Sequence, residues 1–159
     1  MDTVEVRADA SSFGRVARSL DEESDGEHLR KDLVEGFRAA LEPAVDEVRG
    51  ALMQMASGGL AHAGEPLRLA VAQHVVVSVG RRSAAIRALK TGMPRGFWNA
   101  PKRLNQRQFR HRVYGRDVWV TQVGAPGWFD DTLQRNQTRY RVAARRALDD
   151  MADRIGRKG

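Results

Sequence analysis

The residues that could perform acid–base or metal chemistry are few, and their spacing does not favour it. The four histidines are His28, His62, His74 and His111. They stand in no H-E-x-x-H or similar metal-ligand spacing, and the chain has no cysteine. Asp130 and Asp131 could hold a divalent ion, but two acids at the start of a helix are better explained by the helix dipole. The sequence therefore predicts no enzymatic activity, no cofactor and no metal site.

A different chemistry is indicated between residues 90 and 116, where aromatic side chains are interleaved with basic ones. The basic residues are Lys90, Arg95, Lys102, Arg103, Arg107, Arg110, Arg112 and Arg116, and the aromatic ones are Phe97, Trp98, Phe109 and Tyr114. Such mixtures are typical of single-stranded nucleic-acid sites, because bases stack on rings while cations hold phosphates. Arginine and aromatic residues are also enriched in protein interfaces. The residues alone leave both interpretations open.

Charge is divided unevenly along the chain. Residues 1–65 contain 14 Asp/Glu and 7 Lys/Arg, whereas residues 66–159 contain 6 Asp/Glu and 20 Lys/Arg. The net charges of −7 and +14 sum to the +7 of the whole chain. This asymmetry favours nucleic acid or an acidic protein surface as partner. The alternative is that the acidic segment docks on the basic one, in the same chain or in the next copy.

No hydrophobic run is long enough to cross a membrane, and the N-terminus is acidic, unlike a secretory signal. We therefore expect a soluble protein without a membrane partner. Its length fits one domain with a modest core.

The first half of the chain predicts mainly helix. Residues 3–7 alternate and could form a short edge strand, and residues 13–20 could form a short helix capped by Ser11 or Ser12. Ser24 and Glu27 have the spacing of a capping box, so a long helix should begin near residue 26 and run to about 56. Pro43 lies inside it, where proline removes a hydrogen bond and costs about 3 kcal/mol. We expect a kink there, or two helices that meet at Glu42.

The middle of the chain predicts a hairpin followed by a loop. Residues 65–72 could form a short helix, residues 74–79 a strand, and residues 84–90 its partner across a turn. Residues 91–108 contain two prolines, two glycines and no period. We expect a long basic loop there that lies outside the core and contacts another subunit.

The last third predicts a second hairpin and one long helix. The strands should cover residues 108–114 and 117–122 around a turn at Gly115 and Arg116, with the second strand covered on both faces. A turn over residues 124–127 precedes a helix to about residue 155, whose apolar stripe is interrupted at Asn136 and Gln137. Phe129 should lie in the core, and Trp128 either in the core or in a subunit contact. The predicted core includes Leu33, Phe37, Val48, Leu133, Tyr140 and Met151.

These elements predict an α+β fold. A small, mostly antiparallel sheet of two hairpins is packed by a long kinked N-terminal helix and a long C-terminal helix. We expect an acidic arm over residues 1–26 and a single domain over residues 27–159.

The stretch FRHRVYGRDVWVTQVGAPGWF, followed by a basic amphipathic helix, resembles the siphophage tail-component family. Its members lie in the phage neck and are called minor tail, head–tail joining or tail-terminator proteins. The matching residues are Phe109, Arg110, His111, Val113, Tyr114, Gly115, Arg116, Asp117, Val118, Trp119, Val120, Gln122, Gly124, Pro126, Trp128 and Phe129.

The resemblance implies a structural virion protein, assembled in the host cytoplasm, that forms a ring between the tail tube and the head connector. Its partners would be further copies of itself, in a hexamer, together with the tail tube protein and a head-side connector or stopper protein. DNA would pass through the ring without specific binding. The alternative is a basic nucleic-acid-binding protein.

Twelve residues are candidates for the interface on grounds of charge, aromatic character and position. The acidic candidates are Asp21, Glu22, Glu23 and Asp25; the others are Phe97, Trp98, Lys102, Arg103, Arg107, Arg110, Arg112 and Trp128.

Overall fold

Five helices and five short strands make up the computed structural model, which describes residues 3–4, 26–56, 67–80, 83–112 and 117–157. The helices are α1 (Gly26–Met53), α2 (Leu67–Gln73), α3 (Ala100–Leu104), α4 (Asp130–Arg135) and α5 (Gln137–Gly156). The strands are β1 (Thr3–Val4), β2 (Val75–Val79), β3 (Ala84–Ala88), β4 (Gln108–Arg112) and β5 (Trp119–Val123). The α+β class is confirmed, with one long helix toward each end of the chain.

The strands form two separate sheets. One has the strand order β1-β3-β2, and the other contains only β4 and β5. Both predicted hairpins are present and antiparallel. In the first, Gly80 N–H donates to the Ser83 carbonyl beside the turn, and Leu89 N–H donates to the His74 carbonyl at the open end.

Helix α1 is continuous from Gly26 to Met53, with Pro43 inside it. The alternative of two helices that meet at Glu42 is therefore wrong, whereas the kink stays a prediction. Burial of one apolar stripe offsets the cost of the proline. The buried members of the stripe are Leu29, Leu33, Phe37, Leu41, Ala44, Val45, Val48 and Leu52.

The helix predicted over the last third of the chain is divided into α4 and α5. Between them Asn136 has φ −119° and ψ 19°, outside the helical region. The prediction of one long helix is wrong at this residue. Asparagine has a low helix propensity because its side chain competes for backbone hydrogen bonds, and it interrupts the apolar stripe at the same place.

Residues 91–108 are not an irregular loop throughout, because α3 lies within them. Pro101 lies in its first turn, where proline is tolerated. Ala100, Pro101 and Leu104 are buried. The prediction that this segment lies outside the core is therefore wrong for these three residues.

The chain divides into two compact units. One comprises Met1–Val4, Asp46–Val76 and Arg87–Arg135, and the other Glu5–Val45, Val77–Ile86 and Asn136–Gly159. Two of the boundaries fall two residues after Pro43 in α1 and between Arg135 and Asn136. The prediction of one domain preceded by an acidic arm stays a prediction.

The second unit packs the first part of α1 with α5. Gly36 of α1 lies next to Ala147 of α5, with about 4.0 Å between the place of a Gly36 Cβ and the Ala147 Cβ. Arg154 and Asp32 form an ion pair at 3.7 Å. The buried side chains that α5 contributes are Tyr140, Ala144, Leu148 and Met151.

The first unit contains the end of α1, α2, α3, the β4–β5 hairpin and α4. Arg49 of α1 donates to the Ala72 carbonyl (3.2 Å) and to the Val75 carbonyl (3.1 Å). It thereby places a cation at the C-terminus of α2, where the helix dipole favours positive charge. Arg68 of α2 donates in turn to the Met55 carbonyl beyond the end of α1 (2.7 Å).

All six residues predicted for the core are buried, and Phe129 is fully buried. None of the described helices is long and apolar enough to span a membrane.

Candidate interaction surface

The β4–β5 hairpin has one covered face and one exposed face. The ladder pairs Gln108 with Val123 through to Arg112 with Trp119. Because directly opposed residues share a face, the register defines an outward face of six residues, all exposed. They are Gln108, Arg110, Arg112, Trp119, Thr121 and Val123. The opposite face consists of Phe109, His111, Val120 and Gln122, of which Phe109 is buried and the others half-buried.

The prediction that β5 is covered on both faces is wrong. Trp119 is 56% exposed and Val123 42% exposed, and Val118, which precedes the strand, is 51% exposed. These are three of the six large hydrophobic residues exposed in the described part of the chain. An exposed apolar cluster of this kind is typical of a binding surface.

The two arginines of the outward face have different surroundings. The Arg110 guanidinium lies over the Trp119 ring, 5.8 Å from its centroid, a diagonal cation–π contact across the ladder. Arg112 pairs with Asp117 at 2.6 Å, and both side chains are largely exposed. A surface pair of this kind adds about 0–1 kcal/mol, but it offsets the charge of Arg112. The outward face is therefore a mixed apolar and weakly basic surface.

The base of the hairpin is fixed against the end of α3. Ala125 N–H donates to the Leu104 carbonyl (2.8 Å), and Gly127 N–H donates to Asn105 Oδ1 (2.7 Å). A Cβ on Gly124 would collide with the Gln106 carbonyl and lie 2.5 Å from the Leu104 carbonyl. Glycine is therefore required at residue 124 for this close approach.

Phe97 and Trp98 have opposite environments. Phe97 is half-buried and contacts the His111 ring edge-on at 4.7 Å, so it packs on the covered face of the hairpin. Trp98 is 66% exposed, with the Lys90 ammonium 5.9 Å from its ring. Of these two interface candidates, only Trp98 is open to a partner.

The remaining basic candidates lie on or after α3. Lys102 and Arg107 are exposed, and Arg103 is half-buried. Lys102 and Arg103 are in the last turn of α3, where they suit the helix dipole. The structure therefore places Arg110 and Arg112 on the outward face and the other three on the segment that leads into the hairpin.

Trp128 is not available to a partner. It is 4% exposed and contacts the Phe129 ring at 5.4 Å, so of the two alternatives the core position is the one observed. Its indole Nε1 is buried without a hydrogen-bond partner among the described residues. The acidic candidates Asp21, Glu22, Glu23 and Asp25 lie outside the described residues.

Trp119 and Val123 were not among the interface candidates. The sequence feature that could have identified them is the alternation of residues 118–123, because it puts Trp119 and Val123 on the face opposite Val120 and Gln122. The sequence does not say which face is covered, because both contain apolar residues.

Within the described ranges, no three His, Cys, Asp or Glu side chains cluster in a way that could hold a metal ion. The second unit has an open cleft of about 460 Å³. It is lined by His28, Leu29, Asp32, Asp150, Arg154 and Arg157. The cleft contains both acidic and basic side chains, and Asp32 already pairs with Arg154. It is therefore not selective for an anion or for a cation.

No family model matches the chain, and comparisons with curated proteins and with solved structures found no match.

Proposed function

We propose that the chain is a non-enzymatic structural subunit of a tailed-phage neck. In this proposal its copies form a ring that joins the tail tube to the head connector, as a tail terminator or a head–tail joining protein. The complete protein would reside in the virion after assembly in the host cytoplasm. Its partners would be its own copies, the tail tube protein and a head-side connector or stopper protein.

The observation that carries the proposal is the outward face of the β4–β5 hairpin. Five of its six residues, all except Gln108, lie within the stretch that resembles the neck proteins. Part of that stretch is required by the fold, since Phe109, Trp128 and Phe129 are buried and Gly124 has no room for a Cβ. Arg110 and Trp119 have no such role, because both project outward from the hairpin. Binding to another molecule would give them one.

The charge division supports a contact between unlike surfaces. A closed ring is built from heterologous contacts, in which one patch of a subunit meets a different patch of the next. The acidic first 65 residues and the basic remainder are complementary in this way. A hexamer follows from the resemblance alone.

The experiment is a mass measurement of the purified protein, alone and after mixing with tail tubes. We expect a closed oligomer, or a complex that forms at the ends of the tubes. A protein that neither forms a ring nor binds the tubes would contradict the proposal. Trp98→Ala tests the contribution of residues 91–108 to assembly at an exposed position. Deleting residues 92–107 is a poorer test, because it would also remove buried groups of α3.

A second candidate function is nucleic-acid binding. It is favoured by Arg110 and Arg112, which lie beside Trp119 on the exposed face of the hairpin. A two-stranded ribbon fits the major groove of DNA. The two functions differ in their dependence on salt, because each phosphate that a protein cation neutralises releases condensed counterions into the solution. A DNA affinity that falls steeply with salt and is abolished by Arg110→Ala would favour this candidate. Weak binding of free DNA would favour the neck ring.

A further inference from the structure

Strand β5 is an edge strand without the usual protection against pairing. The hairpin is a two-stranded sheet, so no strand of the described part of the chain pairs with the far side of β5. Natural edge strands are commonly protected by charges, prolines or bulges. Residues 118–123 read VWVTQV and contain no charge and no proline. Strand β4, by contrast, contains Arg110 and Arg112.

The hydrogen-bonding pattern of the hairpin shows which backbone groups of β5 have no partner in β4. Gly124 N–H donates to the Arg107 carbonyl at 3.1 Å, so residues 107 and 124 form a hydrogen-bonded pair. Such pairs alternate with non-bonded ones in an antiparallel ladder. In the register of this hairpin, Val120 and Gln122 therefore bond to β4. The N–H and C=O groups of Trp119, Thr121 and Val123 point away from it.

We propose that β5 pairs with β5 of a second copy of the chain, antiparallel and with Thr121 opposite Thr121 of the second copy. In this register Trp119 of each copy lies opposite Val123 of the other. Every N–H and C=O group of β5 that points away from β4 therefore has a partner in the second copy. Trp119 then lies beside Val123 of the other copy, an aromatic–β-branched pair that stabilises sheets. The two hairpins become one four-stranded sheet.

Charge explains why β5 and not β4 forms this contact. Pairing of β4 with itself in the matching register would place Arg110 directly opposite Arg110, where like charges destabilise a ladder. In the β5 pair the two Arg110 side chains are three strand spacings apart, about 14 Å. This exceeds the Debye length of about 8 Å at physiological salt, so their repulsion is largely screened.

The β5 pair does not depend on the proposed neck function. A ring with two unlike faces has no two-fold axis in its plane. If the protein forms that ring, the β5 pair therefore belongs to the free protein before assembly.

The first test compares Thr121→Pro with Thr121→Val by sedimentation equilibrium. Proline removes an N–H that points away from β4, so the hairpin can keep its own ladder, and circular dichroism checks that it does. Valine keeps both the N–H and the branched shape. We expect the wild type and Thr121→Val to dimerise in a concentration-dependent way. Thr121→Pro should raise the dissociation constant on the order of ten-fold or more, because it removes two hydrogen bonds between the copies.

The second test uses the absence of cysteine from the chain. Residues opposite each other in a hydrogen-bonded pair have Cα atoms about 5.5 Å apart, within the range of a disulfide. Thr121→Cys should form a disulfide-linked dimer under mild oxidation. Thr138→Cys, at another exposed threonine position on α5, should form much less. A monomeric wild type, equal dimerisation of Thr121→Pro and Thr121→Val, or equal cross-linking of the two cysteine variants would each overturn the proposal.

Discussion

Single residues stabilise the first unit by joining segments that are distant in sequence. Gly124 allows residues 104–106 to approach the end of β5, and Arg49 connects α1 to the end of α2. Neither role is visible from residue type, because each depends on which carbonyl groups the fold brings nearby. Both residues can be tested by substitution against a matched control.

Gly124→Ala should lower the free energy of unfolding by about 1–3 kcal/mol, because the added methyl group collides with two carbonyl groups. Gly50→Ala is the control, since a Cβ there meets no atom within 4 Å and α1 gains helix propensity. We expect the control to raise stability by about 0.5–1 kcal/mol. Urea unfolding followed by circular dichroism measures both. Equal effects of the two substitutions would contradict the close approach at residue 124.

Arg49→Met should destabilise the protein by about 1–3 kcal/mol. It keeps much of the aliphatic stem but leaves the Ala72 and Val75 carbonyls without this donor. Arg38→Met, at an exposed position earlier in α1, should change stability by less than about 0.5 kcal/mol. The same unfolding measurement serves for both variants. The role of Arg49 would be refuted if its substitution were as mild as that of Arg38.

Among the secondary-structure elements, the break at Asn136 changes the electrostatics of the C-terminal region. In one continuous helix, Asp130 and Asp131 would occupy the first turn and suit the dipole. Because α5 begins at Gln137, its first turn has no acid, and Arg139 follows two residues later. The N-terminus of the 20-residue helix is therefore unfavourably charged.

Thr138→Glu should consequently stabilise the protein by about 0.3–1 kcal/mol at low ionic strength, since it adds a negative charge to the first turn of α5. Thr138→Gln has a similar helix propensity without the charge and isolates the electrostatic part. The difference between the two variants in urea unfolding should shrink as salt is added. If α4 and α5 instead behaved as one helix, residue 138 would be interior and the two variants would be equivalent.

For the molecule as a whole, the charge division predicts how copies associate in the proposed ring. If the acidic segment of one copy docks on the basic region of the next, ring formation should weaken as salt rises, because exposed charges are screened over about 8 Å. Single pairs contribute only about 0–1 kcal/mol, so no one substitution should abolish assembly.

Reversing several charges together should prevent assembly while each subunit stays folded. One set changes Asp21, Glu22, Glu23 and Asp25 to Lys, and the other changes Arg103, Arg107, Arg110 and Arg112 to Glu. Mixing or combining the two sets should partly restore association if the segments meet. Analytical ultracentrifugation at several salt concentrations measures this. Assembly that is insensitive to salt and to both sets would point to apolar surfaces instead, and would make nucleic acid the better partner for the basic stretch.

Local patterns in the chain are sufficient to predict the helices α1 and α5, the two hairpins and the centre of the core. Leu33, Phe37 and Val48 repeat with the helical period, as do Tyr140 and Met151, and a stripe of that length identifies its buried face without help from the rest of the chain. The strand runs of β2 and β4 are similarly clear, because alternation and flanking turn residues are local signals.

Packing between distant segments sets the helix at Ala100–Leu104 and the exposed face of β5. A five-residue helix is unstable alone and forms because Leu104 is buried and its carbonyl accepts from Ala125, which is distant in sequence. The faces of β5 both contain apolar residues, so the side that is covered depends on where Phe97 and Phe109 pack. The surface now proposed to bind a partner therefore arises from tertiary packing, which local periodicity does not encode.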